Sequence, residues 1–98
     1  MSAVSLEDAK AFLDVIHSGD DGKLQLLLSG AIDEAERFVG RKLSEIPNSG
    51  ERGPPASAVV GVMLLLQATY QAAPDDAAKL RLAAEIKLKP HRAQWEDV

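Results

Sequence analysis

Apolar residues return every three or four positions along most of this chain, the spacing of a helix with one buried face. Leu6, Ala9, Leu13 and Ile16 form the first such stripe. Ser5 precedes it as an N-cap, with Asp8 three residues on, where a capping box usually carries Glu or Gln. The stretch from His17 to Gly22 reads as a turn and is expected to end this helix near Ile16. The second stripe is the plainest: Leu24, Leu27, Leu28, Ala31, Ala35, Phe38 and Val39. Asp20 or Asp21 caps it, and Asp33, Glu34, Glu36 and Arg37 fall off the stripe. Arg41 and Lys42 are expected in its last turn, where cations suit the helix dipole. Gly30 costs about 1 kcal/mol relative to alanine inside a helix, and so predicts close approach of another backbone.

The pattern then breaks. Residues 44–55 form a long loop with three prolines and Asn48-Ser49-Gly50. Pro54 and Pro55 suit the first turn of a third helix. From Ala56 to Tyr70 that helix is apolar nearly all round, which predicts a buried central element over about residues 55–72. Tyr70, at its wetter end, reads as half-buried. A fourth helix begins at Pro74-Asp75-Asp76 and is expected to run to about Leu88. Glu85-Ile86-Lys87-Leu88-Lys89 also alternates with period two, so a short extended segment is the competing reading. Pro90 stops either, and an extended tail with Trp95 follows from about residue 90. The expectation is an all-α fold: a small bundle of about four helices around the central one, with 1–98 as a single domain.

Composition narrows this further. The chain has 98 residues, which is enough for one core and too few for two. Apolar residues make up 46%, but many of them are alanine and only 4% of the chain is aromatic, so the core is aliphatic and thin. Help from self-association is a natural consequence. There is no cysteine, hence no disulfide and no pointer to secretion. Residues 1–10 lack the basic and apolar regions of a signal peptide, and the longest apolar run, Ala58 to Leu66, is far too short to span a membrane. The net charge of −4 argues against free nucleic-acid binding.

Enzyme signatures fail in turn. His17 and His91 each lack a second ligand at metal spacing. Asp20-Asp21-Gly22 resembles the middle of a calcium loop but has Leu28 where the loop's glutamate belongs, and helix capping explains it better. The glycines at 50 and 53 are not followed by Lys-Ser/Thr, and no Gly-x-Ser-x-Gly elbow occurs. Asp33, Glu34 and Glu36 read as a solvated helix face. The expectation is a protein that is not an enzyme and carries no cofactor and no metal.

Charge placement is more telling. Lys79, Arg81, Lys87, Lys89 and Arg92 face only Glu85 between positions 79 and 92, whereas the second helix is acidic. A head-to-tail contact follows as an expectation: the basic arm of one copy meets the acidic helix of the next, with complementary charge setting register and rate. The partner-contact candidates are Lys79, Arg81, Lys87, Lys89, Arg92 and Trp95 on one side, and Asp33, Glu36, Ile46 and Asn48 on the other. Tryptophan is a common interface anchor.

Four features together resemble the head–tail connector proteins of tailed double-stranded DNA phages, also called head-completion or adaptor proteins. They are the opening Ser5-Leu6-Glu7-Asp8-Ala9-Lys10 with Leu13, the helix ending from Ala35 through Gly40-Arg41-Lys42-Leu43, the proline-rich loop leading to an apolar helix that ends in Tyr70, and the closing Leu88-Lys89-Pro90-His91-Arg92. The resemblance spans roughly residues 4–92. Tyr70-Gln71-Ala72-Ala73 departs from the family's usual aromatic-Asn-Arg-Glu run, and His91 stands where tyrosine is usual. The resemblance implies a structural virion protein at the head–tail interface, present in the host cytoplasm during assembly. It implies a homo-oligomeric ring, dodecameric to match the portal, that extends the DNA channel. Its partners are then further copies of itself, the portal protein and the next connector or tail-completion protein. DNA passes through without specific contact, and no membrane is involved. The alternatives are a small nucleic-acid-binding or regulatory helical adaptor encoded by a phage, and a helical adaptor of another kind such as an antitoxin or chaperone.

Overall fold

The computed structural model describes residues 4–46 and 53–93. Four helices carry the fold: α1 (Leu6–Leu13), α2 (Asp21–Val39), α3 (Ala56–Tyr70) and α4 (Pro74–Leu88), with short 3-10 turns at Leu43–Glu45 and Lys89–His91. The all-α expectation holds.

α1 starts as its sequence predicts. The Asp8 N–H donates to Ser5 Oγ (3.1 Å) and the Ser5 N–H donates to Asp8 Oδ2 (3.4 Å), so Asp8 fills the glutamate's role in the box. The helix stops three residues early, however. Asp14 takes the left-handed conformation (φ 59°), and its N–H turns back to the carbonyls of Ala11 and Lys10. Ile16 is therefore outside the helix and 97% exposed. α2 likewise ends before Arg41 and Lys42, because Gly40 (φ 78°) closes it with its N–H on Glu36 O. A bond from the Leu43 N–H to Glu36 Oε2 (2.9 Å) then turns the chain, and Leu43 enters the core.

α3 has the bounds its sequence predicts, and it lies between the other helices. Val62 and Leu66 are fully buried with Leu24, Leu28, Ala35 and Val39 of α2 in one apolar core, which Val4, Ala9 and Leu13 extend at the α1 side. α4 packs along α3 as an antiparallel partner. The close approach that Gly30 predicts is not there: Gly30 is exposed, and a Cβ on it would meet nothing within 4 Å. The tight contact sits at Gly61, where a Cβ would lie 2.6 Å from Leu88 Cγ. Gly30→Ala is accordingly expected to stabilise the fold by about 1 kcal/mol through helix propensity alone. Thermal unfolding would register this as a rise in Tm of several degrees.

Residues 85–88 are helical, which rules out the extended reading of that segment. Leu88 and Ala84 are buried one turn apart, while Ile86 points away from the core. The period-two pattern arises because α4 is apolar on both faces. At the 44–55 loop, the Lys42 N–H donates to Glu45 Oε1 (3.1 Å) and Ile46 is core; residues 47–52, including Asn48, lie outside the described residues. The chain past Leu88 makes one more turn before Arg92 becomes extended, and Trp95 lies outside the described residues.

Candidate assembly surface

Some of the ionised side chains tie helices of this chain together, and others are exposed without an ion pair among the described residues. The first group explains the acidic turn. Asp20 and Asp21 were expected as caps, but Asp20 makes no side-chain cap bond. Instead Tyr70 OH donates to Asp20 Oδ2 (2.8 Å), and Lys10 Nζ contacts Asp21 Oδ1 (2.8 Å), so the turn fastens α2 to the end of α3 and to α1. Gln71 Nε2 adds a bond to Leu13 O (3.1 Å), one of the carbonyls left free at the end of α1. The bond to Asp20 is the main cause that raises the Tyr70 phenol above its ordinary 10.0, with burial and the negative charges of Asp20 and Asp21 adding to it.

This shift has a sign. The folded chain holds the phenol proton more tightly than the unfolded chain, so the bond contributes fully below pH 10 and is lost as pH climbs through the raised value. Unfolding curves taken from neutral to strongly alkaline pH are expected to show stability falling above about pH 10. In Tyr70→Phe that part of the fall should vanish, with a lower Tm at neutral pH. An unchanged alkaline slope in the variant would refute the assignment.

The predicted contact residues separate in the same way. Arg81 pairs with Glu34 across α2 and α4, and Arg92 lies over the Phe38 ring (5.1 Å to its centroid). The Ala93 N–H bonds Val39 O (2.8 Å) beside it. The helix ending at 35–43 and the closing stretch at 88–92 thus meet in space, and His91 Nε2 joins Ser57 Oγ (2.7 Å) on the first turn of α3. Glu36 holds the Leu43 backbone, as described above, and Ile46 is 2% exposed, so its side chain is not offered to a partner. Asp33 is exposed and pairs with Arg37 one turn on (3.1 Å), an arrangement worth a few tenths of a kcal/mol. Lys79, Lys87 and Lys89 are exposed and carry no ion pair among the described residues. Sequence reasoning missed the Lys10–Asp21 and Tyr70–Asp20 contacts, since nothing local links positions 10 and 21 or 20 and 70.

The described residues contain no group of three or more His, Asp or Glu side chains placed to hold a metal ion, and none of their helices is long and apolar enough to cross a membrane. Surface apolar groups are more prominent. A groove of about 750 Å³ runs between α1 and the first half of α3, lined by Ala11, Phe12, Val59, Val60 and Met63, with Pro54 at one end and Asp8 on its rim. Leu82 and Ile86 stand 61% and 64% exposed on α4.

A thin helical bundle with a few charged ties between its helices, and with outer faces that stay apolar in places, has the make-up of a structural assembly protein. The family model of phage gp6-like head-tail connector proteins matches residues 3–80, most of the chain, and the chain belongs to that family. The match ends at Leu80, ahead of the Leu88–Arg92 stretch. No curated protein and no solved structure matches the chain. The chain is thus a structural connector component of a phage virion, and it works in contact with other head or tail proteins.

Proposed function

We propose that the protein acts as one connector domain over 1–98, with copies joined in a dodecameric ring beneath the portal of a filled capsid. The ring lengthens the DNA channel and presents a docking surface to the next connector or tail-completion protein. The family match over residues 3–80 carries this reading. The mechanism is geometric rather than catalytic: subunit contacts fix the ring, and its lumen passes DNA without holding it. A net charge of −4 suits a lumen that must release DNA, because a basic wall would bind phosphates. Of the basic candidates, Lys79, Lys87 and Lys89 carry no ion pair among the described residues and can meet a neighbour, whereas Arg81 and Arg92 are engaged within the chain. Trp95, Asp33 and Asn48 remain candidates for such contacts.

Electron microscopy of particles made with this gene deleted tests the proposal. DNA-filled or leaky heads and free tails, unjoined, are the expected result. Normal tailed particles would sink it. A salt-dependent DNA-binding assay would then test the phage-encoded nucleic-acid-binding adaptor in its place.

A further inference from the structure

We infer that the groove between α1 and α3 is the receptor for the outer face of α4 from a second copy of this chain. The inference rests on the ring reading and supplies its contact surface. The ridge comes first. Ala78, Leu82 and Ile86 recur at i, i+4 on α4 and are all exposed, while Ala84 and Leu88 bury the opposite side of the helix. Two large aliphatic side chains one turn apart form the kind of ridge that packs into a groove of another helix pair.

The groove is complementary in shape and in charge. Its wall is mostly apolar, and Phe12 is 40% exposed at its edge. Glu7 and Asp8 make the α1 side acidic, while Lys79 on α4 and Lys89 just past its end are exposed near the two ends of the ridge. None of these four side chains is in an ion pair among the described residues. Joining the two surfaces sets cations against carboxylates around an apolar centre, the usual layout of a specific interface.

Placement selects a second copy over a fold-back of the same chain. Gly61 faces α4 through Leu88, whereas Val59 and Met63, which line the groove, each sit roughly 160° around α3 from Gly61. Ridge and groove therefore lie on opposite sides of α3. One molecule cannot close that contact on itself. Each copy offers a ridge to one neighbour and a groove to the other, which is a heterologous contact and closes into a ring when the rotation per subunit divides a full turn.

The absence of cysteine makes the test clean. Phe12→Cys and Ile86→Cys are placed in one full-length chain, and the purified protein is oxidised at high concentration and run on a non-reducing gel. A ladder of dimers, trimers and higher species is expected. An equimolar mix of the two single variants should stop at dimer. Both positions are exposed, and circular dichroism verifies the helices; Val60→Cys with Leu82→Cys is the second pair. Dimers alone, or monomer alone, from both pairs would overturn the inference. The connector reading is judged separately by the deletion phenotype, so a failed ladder with unjoined heads removes this surface and leaves the connector. A ladder with normal tailed particles does the reverse.

Discussion

Leu88→Ala is expected to remove about 2–5 kcal/mol of stability, a large share of the 5–15 kcal/mol typical of a domain. Leu88 is 1% exposed, and its side chain occupies the space that a Cβ on Gly61 would need: Cγ lies 2.6 Å and Cδ2 2.8 Å from that position. The leucine thus stands in for the missing side chain of a helix 27 positions earlier in the sequence. Gly61→Ala alone overpacks the site at a cost of about 1–3 kcal/mol, offset by about 1 kcal/mol of helix propensity. Together the two substitutions should cost clearly less than their sum, because the new methyl enters the space that Leu88 leaves. Urea unfolding of the wild type, both single variants and the double variant measures the coupling. Strictly additive losses would mean that the two residues do not meet.

Charge reversal at Lys87 and Lys89 is expected to act on assembly and hardly on folding. Both side chains are exposed at the end of α4 and unpaired within the described chain. Each reversal at a helix C-terminus costs about 0.3–1 kcal/mol, so far-ultraviolet circular dichroism at room temperature should be unchanged while the Tm falls by only several degrees. An interface with cations facing carboxylates responds differently. Like charges set against each other cost several kcal/mol, and each 1.4 kcal/mol is a factor of about ten in association. Lys87→Glu/Lys89→Glu should therefore cut the yield of joined particles at least tenfold, counted by electron microscopy after complementation of the deletion. Undiminished yield from this variant would remove the basic end of α4 from the assembly contact.

Local features made much of the fold legible. An apolar run with proline before it and Pro74 beyond it left α3 only one place to lie, whereas the end of α2 falls earlier than the cations Arg41 and Lys42 suggest, because Gly40 closes the helix in a left-handed conformation that glycine adopts cheaply. Misreadings came where a residue's reason lies far along the chain. Gly30 and Gly61 look alike in sequence, yet only Gly61 has Leu88 against it. Asp20 and Asp21 look like caps because the local pattern offers no other use, while their partners are Tyr70 and Lys10. Ile16 extended the first stripe on paper, but the left-handed Asp14 ends the helix before it. For the assembly surface, charge blocks were visible but their pairings were not. Arg81 and Arg92 belong to the basic stretch by sequence, but Glu34 and Phe38 lie beside them in the fold. The groove beside Phe12 left no trace in the sequence, since it exists only once α1 has docked on α3.

That docking has a kinetic side. α1 is 8 residues long, below the length of about 12–15 at which isolated helices become even marginal in water. It persists through its capping box, the Lys10–Asp21 pair and the Gln71 bond to Leu13 O. Such a segment opens without the rest of the chain, so its amide protons should exchange with deuterated water well before those of the α3–α4 pair. Every subunit that loads the groove would lengthen the exchange lifetimes of α1. Under the proposed ring, the exchange lifetimes of the hydrogen-bonded amides of α1 would therefore act as a clock for the closing of each joint.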